Sequence, residues 1–170
     1  DPVEIPEEDD SVNDAEAGLS DLTVCSPMNG ELVELSKVPD ATFADGVLGQ
    51  GVAILPSEGK LYSPVDATVA SVFDTKHAIA LVTDSGAEML MHVGLETVTL
   101  NGKYFTPKVK DGDKVKAGDL LLEFDLEAIK KDFKTFTPVL VTNADEFTSV
   151  DVIKASGPVK VGDQLYTAKA

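Results

Sequence analysis

A chain of 170 residues with 13 glycines, nine prolines and no tryptophan has the length for one domain with a sizeable core. Thirty Asp and Glu against 14 basic residues, all lysine, leave a formal charge of −16, which disfavours nucleic acid because phosphate neutralisation needs a basic face. No window reaches the ~20 apolar residues of a bilayer-spanning helix, and the opening at Asp1 lacks the basic-then-apolar layout of a signal peptide. The sequence is therefore expected to start inside a longer protein.

Residues 1–21 carry nine acids and no lysine, with Pro2 and Pro6 and no aromatic residue. Such a segment cannot bury enough apolar surface to fold and reads as an acidic interdomain linker. The domain is expected over residues 22–170. It remains acidic, with 21 acids against the 14 lysines, so a basic protein partner would be steered toward it.

From there the text is nearly all β. Strand-like runs are Leu32 to Leu35, Gly51 to Leu55, Ala67 to Phe73, His77 to Val82, Ala87 to His92, Leu120 to Phe124, Val139 to Thr142 and Gln164 to Thr167. Each is bounded by Gly, Pro, Asn, Asp or Ser. One short helix is predicted over Leu126 to Phe133, with Asp125 as its N-cap. Many short strands at close spacing predict an antiparallel β-sandwich or barrel-sandwich hybrid with short helical connectors. Two phrases recur in the same order: Ser26-Pro27-Met28-Asn29-Gly30 returns as Ser63-Pro64-Val65-Asp66-Ala67, and Val115-Lys116-Ala117-Gly118-Asp119 as Val159-Lys160-Val161-Gly162-Asp163. An internally duplicated motif, one half interlocked with the other, would produce both echoes.

Cys25 is the only cysteine, so no internal disulfide forms, and no charged neighbour lowers its pKa to make it a nucleophile. The only two histidines, His77 and His92, lie in alternating apolar runs on either side of Asp84-Ser85-Gly86. An antiparallel hairpin turning near Ser85 pairs His77 roughly with His92. A lone histidine on a strand is ordinarily a satisfied or surface residue; a pair in register makes a functional site an equal alternative. Two imidazoles fall short of a zinc site, which needs three or four ligands. A Ser-His-Asp hydrolase would show a Gly-x-Ser-x-Gly elbow, which is missing. Phosphoryl transfer needs no more than the pair: one nitrogen attacks phosphorus while the other ring steadies the phosphoryl oxygens. Without a Gly-rich phosphate loop, a nucleotide is not the expected phosphoryl source. The run Met89-Leu90-Met91 and Val93-Gly94-Leu95 reads either as a strand buried on both faces or as an apolar collar where a protein docks.

The phrases Phe73-x-Thr75-x-His77-Ala78 and Ser85-Gly86-x-Glu88-x-Leu90-x-His92-Val93-Gly94-x-x-Thr97-Val98 resemble the glucose-type enzyme IIA domain of the bacterial phosphoenolpyruvate:sugar phosphotransferase system. The likeness extends through Pro39-Asp40-x-x-Phe43-Ala44, Gly49-x-Gly51-Val52-Ala53-Ile54, Leu100-x-Gly102-x-x-Phe105 and Glu123-x-Asp125, covering roughly residues 22–168. The resemblance implies that His92 is the phosphoryl acceptor, His77 its hydrogen-bonding partner and Thr75 the support of His77. It places Phe43, Val47, Leu90, Glu96 and Val98 in a docking collar. The implied partners are the phosphocarrier protein HPr as donor and a cysteine of an enzyme IIB domain as recipient, with no cofactor and no metal. The implied domain is monomeric when isolated and cytoplasmic, meeting the membrane only through a fused permease. Leu90 and Val82 stand where stand-alone members carry aromatic or acidic residues, and the wording around both histidines looks more like domains fused to β-glucoside, sucrose or trehalose permeases. A regulatory IIA-like domain on a non-phosphotransferase carrier stays open as an alternative. A zinc peptidase of similar architecture is disfavoured by its missing third ligand.

Overall fold

The computed structural model describes residues 19–170, so most of the linker expected over 1–21 lies outside the described residues. The last three of that stretch join the folded body. Leu19 packs against the core, Ser20 N–H donates to the Ser85 carbonyl at 3.0 Å, and Asp21 accepts from the Ala170 N–H at 2.9 Å.

Strands follow one another as β1 (Leu22–Cys25), β2 (Gly30–Glu34), β3 (Gln50–Pro56), β4 (Lys60–Tyr62) and β5 (Ala67–Val72). The central hairpin is β6 (Ala78–Val82) and β7 (Glu88–His92). After it come β8 (Phe105–Pro107), β9 (Lys114–Val115), β10 (Leu120–Phe124) and β11 (Thr137–Val141), then β12 (Ser149–Val152), β13 (Gly157–Val159) and β14 (Gln164–Lys169). An eight-stranded sheet runs in the order β13-β2-β3-β11-β7-β6-β5-β9, with two three-stranded sheets, β1-β14-β12 and β4-β10-β8. Every pairing is antiparallel. The antiparallel β-sandwich expected from strand spacing is what forms.

Side-chain alternation explains why the sheet holds. In β7, Met89 and Met91 enter the main core beside Ile79 and Leu81 of β6, while Glu88, Leu90 and His92 point to the opposite face. β11 is buried along its whole length, its apolar run Pro138-Val139-Leu140-Val141 suiting a central strand. Leu140 of β11 joins Val38, Phe43, Ala53 and Leu95 in a second, smaller cluster, which lies beneath the end of β7 that carries His92.

The two sequence echoes prove to be one construction made twice. Ser26 Oγ donates to Met28 O at 2.7 Å and Ser63 Oγ to Val65 O at 2.6 Å. The two turns then exchange backbone bonds: Cys25 N–H to Pro64 O at 3.2 Å, and Tyr62 N–H to Pro27 O at 2.7 Å. Each also grips a Gly-Asp turn from far along the chain. Ser26 binds Asp163 and Gly162, and Ser63 binds Asp119 and Gly118, through paired backbone bonds of 2.7–3.1 Å. Asn29 accepts from Val161 N–H and Asp66 from Ala117 N–H, both at 2.9 Å.

Three expectations need correction. The helix predicted over Leu126 to Phe133 ends at Lys130. Asp125 caps it as expected, accepting from Ala128 N–H at 3.1 Å, but Asp132 and Phe133 N–H both turn back to the Ile129 carbonyl, bringing Phe133 onto the core. Ala78, and not His77, sits opposite His92. A hairpin centred on Ser85 puts His77 across from Val93, whose N–H donates to the His77 carbonyl at 2.8 Å. Strands β1, β4, β8, β9, β12 and β13 were not expected, because runs of two to four residues are too short for a period-2 signal.

The interlock requires bare backbone at Gly30. A Cβ there would collide with the Leu55 carbonyl oxygen, whereas one at Gly118 meets nothing within 4 Å and suffers only the positive φ of 95°. Gly30→Ala should therefore cost about 3 kcal/mol or more, and Gly118→Ala about 1–2 kcal/mol. Urea unfolding of both variants tests this; equal losses would show that β2 can move away from β3 without penalty.

Candidate functional site

His92 closes β7, and His77 lies in the turn just before β6. That turn is tightened by Lys76, whose left-handed φ of 65° accompanies the Lys76 N–H bond to the Phe73 carbonyl at 2.7 Å. The kink re-aims His77, so the two rings meet although their main chains are not directly paired. Their centroids are 4.6 Å apart and the planes nearly perpendicular, at 83°. Phe43 tilts against His92 at 5.0 Å and Phe73 stands edge-on to His77 at 5.9 Å.

Each ring has one nitrogen tied down. His92 Nδ1 lies 2.7 Å from the Gly94 carbonyl oxygen. A carbonyl can only accept, so Nδ1 carries the proton and Nε2 keeps its lone pair. His77 Nδ1 lies 2.8 Å from Thr75 Oγ1, a hydroxyl that can donate or accept. His92 is thus fixed in one tautomer, while His77 can adapt.

Electrostatics agree with that division. His77 is 2% exposed; its burial, and next the neighbouring charge of His92, push its pKa from 6.5 down to about 4, against the Thr75 backbone, which favours the charged ring. Burial also lowers the pKa of His92, opposed by the Gly94 carbonyl and the Asp40 carboxylate. Both imidazoles are neutral near pH 7, the state in which a ring nitrogen is a nucleophile.

Gly94 earns its place by conformation. Its φ is 81°, and a Cβ would come within 2.6 Å of the Thr97 methyl. Thr97 Oγ1 donates to the Val93 carbonyl at 2.5 Å and Leu95 N–H to the Lys134 carbonyl at 2.9 Å, so the loop that aims the Gly94 carbonyl is held at both sides.

Of the residues singled out from sequence, His92, His77, Thr75 and Phe43 form one contact set. Phe43 is 5% exposed and backs the His92 ring from the smaller core cluster. Leu90 is half-buried on the His92 face of β7. Val47 and Val98 are 75% and 47% exposed, and Glu96 is exposed with a left-handed φ of 60°; none of these three belongs to the contact set. Sequence reasoning did not single out Gly94 as tautomer-setting or Asp40 as the nearby charge. A glycine two residues after the histidine and an acid capping the short helix α1 (Ala41–Ala44) were the available signals. Among the described residues no three His, Cys, Asp or Glu side chains gather as a metal-ligand set.

Comparison with known proteins brings this geometry into a family context. Residues 22–147 match the family described as phosphoenolpyruvate-dependent sugar phosphotransferase system, EIIA 1. The chain is similar to the PTS system beta-glucoside-specific EIIBCA component of Dickeya chrysanthemi, 52% identical over 153 residues, covering 89% of this chain and 24% of that protein. The component of the same description from Bacillus subtilis (strain 168) is 48% identical over 141 residues, covering 82% of this chain and 23% of that protein. The chain thus spans about a quarter of the length of these relatives. Its structure superposes on the glucose permease IIA from Mycoplasma capricolum with a TM-score of 0.79 and 34% identity, over 87% of this chain and 96% of the other.

The buried imidazole has a measurable acid signature. Unfolded, His77 titrates near 6.5; folded, near 4. Between these values the unfolded chain binds the extra proton, so this contribution to stability is constant above 6.5 and falls as pH drops toward 4. The stability of the parent relative to His77→Gln should fall by about 3 kcal/mol as the pH is lowered over that interval, read by urea unfolding at each pH. A difference that does not vary with pH would mean His77 titrates normally in the folded chain.

Proposed function

The chain belongs to the phosphoenolpyruvate-dependent sugar phosphotransferase system EIIA 1 family, and from that premise we propose that it relays a phosphoryl group during sugar uptake, with His92 as the acceptor. The observation that carries the assignment is the Gly94 carbonyl on His92 Nδ1, which leaves Nε2 as a free lone pair beside a second imidazole. Nε2 attacks phosphorus of phosphorylated HPr; the P–N bond in HPr breaks as the new one forms. Because Nδ1 keeps its proton, the phosphorylated ring departs in the next step as a neutral imidazole, a good leaving group. A cysteine thiolate of an enzyme IIB domain then attacks phosphorus, breaking P–N and forming S–P.

His77 donates to the phosphoryl oxygens and spreads their charge in both steps. Thr75, able to donate or accept at His77 Nδ1, lets that ring present a proton on its other nitrogen. Phe43 and Phe73 limit water around a labile phosphoramidate. Partner docking falls to the apolar face with Leu90, together with Val47, Val98 and Glu96. The acidic surface complements a basic partner. Both relatives are named as EIIBCA components, which supports a relay domain joined to IIB and permease parts over a regulator on an unrelated carrier. On the same ground the sugar is a β-glucoside, and the domain works at the cytoplasmic face of the membrane.

Incubation with phosphoenolpyruvate, enzyme I and HPr should label the parent chain, and His92→Ala should take up no phosphoryl group. His77→Gln should still be labelled, since an amide can hydrogen-bond phosphate, but should pass the group to IIB roughly tenfold or more slowly. Labelled His92→Ala, or equal loss of both steps in His77→Gln, would overturn the roles.

Leu90→Lys tests the docking face. The side chain is half-buried, so the variant should stay folded while placing a desolvated charge against a basic partner, at a cost of several kcal/mol. Labelling at low HPr should drop steeply and recover as HPr is raised. A normal rate at low HPr would move the docking face elsewhere.

A further inference from the structure

The sequence holds two Asn-Gly steps, Asn29-Gly30 and Asn101-Gly102, and the fold treats them in opposite ways. We propose that Asn101 is a site of spontaneous deamidation in the folded protein, and that the interlocked turns protect Asn29 from the same reaction. The reaction needs the backbone nitrogen of the glycine to reach the side-chain carbonyl carbon of the asparagine. That requires rotation of the intervening peptide and a side chain free to turn.

Asn29 has neither freedom. Its Oδ1 accepts from Val161 N–H at 2.9 Å and its amide approaches Glu58 at 3.4 Å. Its carbonyl accepts from Ser57 N–H at 2.9 Å, and Gly30 is pressed against the Leu55 carbonyl between β13 and β3. Any rotation there tears the interlock.

Asn101 is the reverse case. It follows the 3-10 turn Thr97–Leu100 in a left-handed conformation, φ 51° and ψ 39°, and its side chain is exposed. Its own N–H is tied to Val98, but among the described residues no hydrogen bond engages its side chain or the Gly102 N–H. Gly102 has φ 90°, and the nearest atom to a Cβ placed there is Lys76 Cδ at 3.2 Å, part of a flexible side chain. Glycine at the second position leaves the peptide free to swing.

The chemistry balances with water alone. Gly102 nitrogen attacks Asn101 Cγ, the Cγ–Nδ2 bond breaks, and the displaced amide leaves as ammonia with the glycine proton. Water then opens the five-membered imide at either carbonyl, giving aspartate or isoaspartate. Each product adds a carboxylate near Lys76, and the isoaspartyl form also inserts a methylene into the main chain between Val98 and β8. Any effect on partner docking rests on the relay reading above; the modification itself does not.

The test uses the whole chain held at mildly alkaline pH, folded and in urea, with peptide mass mapping of amide loss at both steps. In the folded protein Asn101 should lose its amide within roughly threefold of its unfolded rate, and Asn29 should be slowed roughly tenfold or more. Asn101→Gln should remove the fast component. Protection of Asn101 equal to that of Asn29, or equal rates at both steps when folded, would overturn the proposal. No phosphoryl transfer is read, so either result stands apart from the fate of the relay.

Discussion

Two Ser-Pro turns hold one another by the backbone, and everything else in the fold is hung from that exchange. Cys25 and Tyr62 each donate to the proline carbonyl of the other turn, so neither half of the duplication can close alone. Each turn then captures a Gly-Asp turn from the last third of the chain. Four distant segments are fixed by main-chain groups that would otherwise be buried without partners. The sheets inherit their alignment from this junction, because β2 leaves one turn and β4 and β5 flank the other.

With the sheet so aligned, β11 is compressed between β3 and β7, and the hairpin β6–β7 must keep its register or turn its methionines out to solvent. That register delivers His92 to one end of the hairpin and His77 to the adjoining turn. The backbone around them is strained in a concentrated way. Lys76, Glu96, Asn101 and Tyr104, the non-glycine residues with positive φ among those described, all lie in the two loops bordering the histidines. For Lys76, Glu96 and Tyr104 the conformation costs roughly 1–2 kcal/mol each, tolerated where surrounding structure over-determines the chain; Asn101, a residue type that visits this region readily, incurs less. The aimed carbonyl of Gly94 belongs to the same border.

Much of this was legible in the sequence, for reasons that can be named. The β class followed from turn residues at close spacing, the duplication from the repeated Ser-Pro and Gly-Asp phrases, and the cap at Asp125 from its position before an apolar stretch. The histidine pair was visible because no other histidine competes. What stayed hidden depends on distances the text does not encode. The meeting of the two rings despite the one-residue offset of His77 depends on a left-handed lysine, a residue type with no preference for that conformation. The tautomer of His92 depends on a glycine carbonyl, and every residue has a carbonyl. The burial of Phe43 comes from Leu140 and Ala53, which are distant in sequence.

The entry of the chain into the domain has a mechanical consequence. Ser20 is bonded to Ser85 at the tip of the β6–β7 hairpin, whereas His92 is at the hairpin's far end, roughly 15–20 Å along the strands. Leu19 and Ser20 are therefore anchored at the pole of the hairpin opposite the two imidazole rings. The anchor braces the Ser85 turn and leaves the His92 end of the hairpin clear of the chain's entry.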